Sequence, residues 1–424
     1  MADPIVDEIE LAIETMANGG NGIARHDGKV VFVPYTIPGE VISGQITGGQ
    51  GRVLFAEGLR LLQASGDRVF PQCQHFGLHR CGGCQWQHIG YAAQLLLKQD
   101  VLADQLERVG GLKDPAVRAV IASPQQWGYN HHMRFIPQPE GGLALRGSDG
   151  QPFTVETCEV LHPDLLDLFE QLTLEDVSGI EAMTLARGDD NRWMLTLYLT
   201  SEEEAPSILL DLPLSINLVL PTGEPVNAAG DTHLRYTVAG RSFRVTAGSA
   251  FRANVDALGG LVAEVLAALG SASNVLDLYC GVGLFGAFIA ERGGQVLCVD
   301  NHPPAVLDAS ENTAEFANVR VIEGEVEQIA ELLEGVRYEA AIVNPPESGM
   351  SIPAIDAVAA LELPTLVLIG ADIATFCRDL ARLCKHGYSV SYVQPLDFAP
   401  QTYTLEVVAV LQRPRRRESV RKSA

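Results

Sequence analysis

The chain has 424 residues, 47% of them hydrophobic and 20% charged, with 30 basic against 53 acidic side chains and a formal net charge of −23. At roughly 100–200 residues per domain, two to four soluble globular domains are expected. No apolar run reaches the ~18 residues of a membrane span, and the acidic start MADPIVDEIE is unlike a secretory signal, so a cytoplasmic chain without a membrane partner is expected; the acidic balance also excludes a surface broadly adhesive to nucleic acid, since phosphate affinity rests on Lys and Arg.

Residues 5–60 alternate short β-type runs with turn signals, from IELAIE through NGGNG, KVVFVPY and IPGE to VLFAEGLRLL. Short strands punctuated by Gly and Pro predict a small barrel, taken as a domain over 1–63. The segment CQHFGLHRCGGCQWQH then leads into a helix-like YAAQLLLKQDVLADQLERVGG, and the mixed, sheet-forming stretch that follows completes a central domain over 64–238. From 239 to 413 strands and helices alternate, which predicts an α/β domain with a mostly parallel sheet covered on both faces. A basic tail, 414–424, reads as a solvated end.

Eight cysteines in a reducing compartment are poorly explained by disulfides. Cys73, Cys81 and Cys84 follow a C-x7-C-x2-C spacing in a Gly-rich loop, and Cys158 stands alone in VETCEV. Four thiolates of this kind suit zinc or an iron-sulfur cluster, and spacing does not choose between them. His75, His79 and His88 read as neighbours of such a site rather than ligands. Cys280, Cys298, Cys377 and Cys384 read as small buried hydrophobes.

In VLDLYCGVGLFG an apolar strand precedes Gly281, Gly283 and Gly286, and a helix follows. Glycines there let a ligand approach the backbone, and the helix terminus favours an anionic group. The pattern is shared with dinucleotide enzymes. Asp277, just before the loop, would repel a pyrophosphate but suits the ammonium and sulfonium of S-adenosylmethionine. Asp300 ends the next strand, where a carboxylate can take ribose hydroxyls. Glu325 and Asn344-Pro345-Pro346 follow the third and fourth strands.

With these pieces in place, the chain resembles the RNA uracil-5-methyltransferase family, in particular iron-sulfur rRNA and tRNA enzymes with an N-terminal TRAM barrel. GGNGIARHDGKVVFVPYTIPGE is similar to the TRAM module, and SAFRANVDA, LDLYCGVGLFG, VNPPESG, IGADIATFCRDL and PLDFAPQTYTLEVVAVLQR follow in the family's order. The resemblance implies an OB-like barrel, a central iron-sulfur domain and a class I (Rossmann-like) methyltransferase domain acting on RNA, with a monomer expected. It implies a [4Fe-4S] cluster on Cys73, Cys81, Cys84 and Cys158. It also implies S-adenosylmethionine held by Arg252, Asp277, Tyr279, Gly281, Gly283, Asp300, Glu325 and Asn344.

In that family a cysteine adds to C6 of uracil, C5 then takes the methyl group, and a glutamate removes the C5 proton. Glu406 keeps the place of the base, but Ala371 stands where the nucleophile belongs. Arg252 replaces a Gln, Asn344 an Asp, Glu347 an Arg and Thr404 a His around the same centre. Two readings follow: a methyltransferase acting on an atom that needs no C6 adduct, such as a nitrogen or an oxygen, or an RNA-binding or RNA-folding factor without chemistry. A zinc-binding or redox-sensing regulator is a third.

Overall fold

A computed structural model describes residues 8–139, 142–172, 177–202, 213–333 and 335–413; the basic tail expected at 414–424 lies outside them.

Strands β1 (Ile9–Ala12), β2 (Thr15–Met16), β3 (Gly22–His26), β4 (Lys29–Val33), β5 (Val41–Gln50) and β6 (Val53–Gln63) form one sheet in the order β1-β5-β6-β4-β3-β2. Alternation decides its inner face: Val31 and Val33 are wholly buried, while Val30 and Phe32, which alternate with them, turn outward. Asp27 and Gly28 both take positive φ (+48° and +71°), as a two-residue hairpin turn between twisted strands requires. Leu11, Ala24, Val31 and Ile42 fill the barrel.

The long helix α1 (Tyr91–Arg108) buries Ala93, Val101, Leu102 and Leu106 on one face. That face joins the core of the C-terminal domain rather than the middle sheet. Lys98 lies in the same stripe and forms a wholly buried ion pair with Asp397 at 2.7 Å. Gln94 exchanges two hydrogen bonds with Gln401. Pairs of this kind cost desolvation but fix one geometry.

The middle sheet comprises β7 (His132–Pro137), β8 (Leu143–Arg146), β9 (Pro152–Val155), β10 (Ile180–Arg187), β11 (Trp193–Leu199), β12 (Ser215–Val219) and β13 (Pro225–Ala229), in the order β13-β12-β11-β10-β7-β8-β9. Helix α2 (Pro163–Gln171) covers it through Leu165, Leu168 and Phe169. The hairpin β14 (His233–Val238) and β15 (Arg241–Thr246) packs on the C-terminal domain, where Thr246 N–H and Oγ1 both donate to Asp308 at 2.7 Å. The boundary expected at 238/239 falls in the turn of this hairpin.

The C-terminal domain has α3 (Leu258–Leu269), β16 (Asn274–Leu278), α4 (Leu284–Glu291), β17 (Gln295–Asp300), α5 (Pro303–Thr313), β18 (Val319–Glu323), α6 (Ile329–Leu332), β19 (Ala340–Val343), α7 (Ile352–Ala360), β20 (Thr365–Gly370), α8 (Ile373–Lys385), β21 (Ser389–Leu396) and β22 (Glu406–Gln412). Its sheet runs β18-β17-β16-β19-β20-β22-β21. The strands from β18 to β20 are parallel, and β22 is antiparallel to both neighbours. The order reverses at β16, and ligands of open α/β sheets bind at the strand ends beside such a switch point. Because β22 runs backwards, its first residue, Glu406, lies at that same edge. Among the described residues no helix is long and apolar enough to cross a membrane.

Candidate cofactor site and cysteine cavity

The chain leaving β16 must turn sharply into α4. Tyr279, Gly281 and Gly283 take left-handed backbone, with φ of +57°, +54° and +79°. At Gly283 a Cβ would also lie 3.1 Å from Ala309 Cα in α5, so both dihedral and space demand glycine. At Gly286 a Cβ would collide with Cys298 Sγ; this glycine lets α4 lie close on the sheet.

Asp277 is wholly buried behind the loop. Its Oδ2 accepts the Gly286 N–H at 2.9 Å, and its Oδ1 has no partner. Burial pushes its pKa up to about 7; the Gly286 N–H opposes the rise and the charge of Asp300 adds to it. Asp300 ties two loops together, accepting the Gly281 N–H at 2.8 Å and the His302 N–H at 2.9 Å. The Glu325 carboxylate accepts from Asn301 Nδ2 at 3.1 Å.

A cavity of about 540 Å³ opens at this edge. Of the residues expected to hold a cofactor, Arg252, Tyr279, Gly281, Asp300 and Asn344 line it. Asp277, Gly283 and Glu325 are not among its lining residues; Glu325 bonds Asn301, which is. Phe251, Asn301, His302 and Ala305 also line it and were not anticipated. A signal existed: Asn301 and His302 directly follow Asp300, and Phe251 sits beside Arg252 in SAFRANVDA.

At one end of the cavity stand Ala371, Asn344, Arg252 and Glu406. Arg252 Nε donates to Glu406 Oε2 at 2.9 Å, and its Nη2 donates to Glu406 Oε1 at 2.6 Å and to Asn344 Oδ1 at 2.9 Å. Burial alone would lower the pKa of Arg252, but the Glu406 carboxylate outweighs it and raises it. Both oxygens of the Glu406 carboxylate are thus engaged by one guanidinium in the bidentate geometry of a strong Arg–carboxylate pair. Cys377 offers no substitute nucleophile: it is fully buried in α8, and burial pushes its thiol up to about 12. Thr404 faces away from this end, bonding Thr402 at 2.8 Å and lining the second cavity instead.

That second cavity, about 480 Å³, is lined by all four of Cys73, Cys81, Cys84 and Cys158. Backbone N–H groups point at the sulfurs, from His75 to Cys73 and from Gly83 to Cys81, each at 3.4 Å. Burial pushes the thiols of Cys84 and Cys158 up to about 12 and about 11. Of the histidines beside them, His75 lines the cavity but its Nε2 accepts the Glu156 N–H at 3.1 Å. Among the described residues no three His, Cys, Asp or Glu side chains come close enough together to hold a single metal ion. Ala399, Thr402, Tyr403 and Thr404, just ahead of Glu406, form another wall.

Comparison with known proteins agrees with this geometry. The TRAM domain matches residues 5–59, and the methyltransferase small domain matches 242–354. An uncharacterized RNA methyltransferase of Streptomyces avermitilis is 30% identical over 96% of this chain and 98% of its own length. Another, from Halalkalibacterium halodurans, is 28% identical over 96% of this chain and 97% of its own. The crystal structure of Pyrococcus abyssi tRNA (uracil-54, C5)-methyltransferase with S-adenosyl-L-homocysteine superposes with a TM-score of 0.71 at 20% identity, covering 95% of this chain and all of that one. A TRAM barrel, a methyltransferase domain and full-length relatives of this kind together place the chain in the family of TRAM-domain RNA methyltransferases.

Proposed function

We propose that this chain is an S-adenosylmethionine-dependent methyltransferase of rRNA or tRNA that does not use a covalent adduct at C6 of uracil. One observation carries the reading: the cofactor-type cavity is intact, while the end of it that should activate uracil presents Ala371 and a Glu406 held by Arg252.

S-adenosylmethionine, when bound, supplies an electrophilic methyl group. This chain's residues provide the place for it. Gly281 lets it approach the backbone, and the Asp300 carboxylate, which lines the cavity, offers acceptors for ribose hydroxyls. With no thiol to add to C6, the accepting atom is one that already carries an available lone pair, such as a ring or exocyclic nitrogen or an oxygen. The Asn344 side chain, at the end of β19, is placed to orient it.

In the same reading the cysteine cavity holds a [4Fe-4S] cluster on Cys73, Cys81, Cys84 and Cys158. A tetrahedral zinc with bonds of ~2.3 Å needs its sulfurs roughly 3.8 Å apart, whereas a cluster spans a wider gap. The N–H groups aimed at Cys73 and Cys81 suit thiolates bound to iron.

The test is a mass-spectrometric comparison of rRNA and tRNA nucleosides from cells with and without the protein. A methylated nucleoside other than 5-methyluridine should disappear in its absence. Unchanged nucleosides, with RNA and cofactor both bound by the purified protein, would favour the RNA-folding factor.

A further inference from the structure

The end of the cofactor cavity that faces Ala371 presents hydrogen-bonding groups that the chain itself leaves unused. Arg252 meets Glu406 side-on through Nε and Nη2, and Nη2 also holds Asn344 Oδ1. Arg252 Nη1 and the Asn344 amide nitrogen are left without a partner among the described residues, and both side chains line the cavity. The carboxylates of Asp300, Glu347 and Glu406 line it as well. Asp300 accepts the N–H groups of Gly281 and His302, and both oxygens of Glu406 are engaged by Arg252. The exposed Glu347 carboxylate has no hydrogen bond or ion pair among the described residues. Its backbone is nonetheless fixed: Glu347 O accepts from Thr375 Oγ1 at 2.9 Å, and the Gly349 N–H closes a turn on Pro346 O at 2.8 Å. His302, another group able to take a proton, sits beside Asp300 at the cofactor end. Phe251, stacked on Tyr236 with centroids 5.1 Å apart, and Pro345 supply apolar surface for a planar ring.

Unused donors beside an unused carboxylate complement an N–H that adjoins a carbonyl oxygen, which is the lactam edge of a nucleobase. A lactam nitrogen is a poor nucleophile while it keeps its proton, since its lone pair is shared with the carbonyl. We infer that the methyl acceptor is a lactam ring nitrogen, N3 of a uracil or N1 of a guanine, and that Glu347 takes its proton. The N–H proton passes to a Glu347 oxygen, and the electron pair it leaves on nitrogen forms the new N–C bond. The methyl C–S bond of the sulfonium breaks with its pair on sulfur, giving S-adenosylhomocysteine. Negative charge that develops on the adjoining carbonyl oxygen meets the donors of Arg252 Nη1 and Asn344 Nδ2. A proton delivered to Glu347 displaces no bond already in place, whereas one delivered to Asp300 or Glu406 would. Adenine and cytosine present no ring N–H, and an exocyclic amine would face donors at both Arg252 and Asn344. The inference rests on the methyltransferase reading proposed above and names the substrate class of that site.

The test treats rRNA and tRNA from cells lacking the protein with the purified full chain and S-adenosylmethionine, then digests them for mass spectrometry. Either 3-methyluridine or 1-methylguanosine should appear, and which of the two identifies the base. Glu347→Gln should slow its formation roughly 10²- to 10⁴-fold, the scale of a lost general base, and Glu347→Asp should slow it less. In Glu347→Gln only lactam already ionised by solvent can react, so the residual rate should climb about tenfold per pH unit near neutrality, while wild type changes little. Calorimetric affinity for S-adenosylhomocysteine should be unchanged in both variants, which certifies their fold. A methylated exocyclic amine, a ribose 2′-O-methyl group, 1-methyladenosine or 3-methylcytidine would overturn the inference and leave the proposed function standing. A Glu347→Gln variant with the wild-type rate or the wild-type pH profile would do the same. No methylated nucleoside, or 5-methyluridine, would overturn both.

Discussion

Arg252 closes both N–H arms of its guanidinium on the carboxylate of Glu406, across 154 residues of chain, and reaches Asn344 with the same Nη2. Glu406 is 3% exposed and the Arg252 side chain 24%. Three of the positions at which the chain departs from its family's pattern thus meet at one place: Arg252 and Asn344 bond each other, and Ala371 lines the same cavity. The replacements answer one another.

Removing Arg252 alone should leave a buried carboxylate unpaired. Arg252→Gln is expected to destabilise the protein by roughly 2–3 kcal/mol, below the 3–5 typical of a fully buried pair because the guanidinium is partly exposed. Arg252→Gln with Glu406→Gln should recover much of that loss. A double-mutant cycle by chemical denaturation, read in the C-terminal transition, should give a coupling of at least about 1.5 kcal/mol. Additive losses would show that the ion pair contributes nothing.

Asp277 makes stability depend on pH in a stated direction. Its folded pKa, near 7, lies above the ordinary carboxyl value because of burial. The folded chain therefore keeps this proton while the unfolded chain releases it, and the stability present below about pH 4 is lost as pH rises to about 7. A shift of this size corresponds to at most about 4 kcal/mol. Asp277→Asn should accordingly melt above wild type at pH 8 and level with it at pH 4, both without cofactor. A flat difference across pH would place the Asp277 carboxyl in its ordinary range.

The loop around Gly281, Asp300 and Asn344 was legible in the sequence because each follows an apolar strand, and strand ends on one side of a parallel sheet converge. The barrel was legible from its alternation and its Gly turns. The Arg252–Glu406 contact was not, because it depends on β22 running antiparallel, which no local pattern reveals. Helix α1 was recognisable as a helix, yet its buried stripe includes Gln94 and Lys98, so its docking on the C-terminal domain through Gln401 and Asp397 had no apolar signature. The hairpin β14–β15 has ordinary strand composition, and only its contacts with α5 through Asp308 assign it to the C-terminal core. Glu325 and Asp277 were placed in the cofactor site on position along the chain; in the fold they support its walls.

The cysteine cavity predicts a metal content. Anaerobically purified protein should carry about four irons per chain and absorb broadly near ~400 nm. Cys84→Ser and Cys158→Ser should each abolish the colour. The loss should also loosen the 399–404 segment that walls the cavity, seen as faster amide exchange there. One zinc and no iron would contradict the assignment.

The central claim is that the family's covalent route is closed in this chain, and one experiment addresses it directly. Purified protein is incubated with methyl-labelled S-adenosylmethionine and unmodified rRNA and tRNA, with 5-fluorouridine RNA in parallel as a trap for an adduct at C6. Loss of a covalent nucleophile costs about 10⁶ in rate, so label should appear in a nucleoside other than 5-methyluridine, and the trap should capture nothing. Ala371→Cys alone should still capture little, because Arg252, Asn344 and Glu347 continue to line the place where the base must sit. Labelled 5-methyluridine, or a stable adduct with the wild-type chain, would contradict the account.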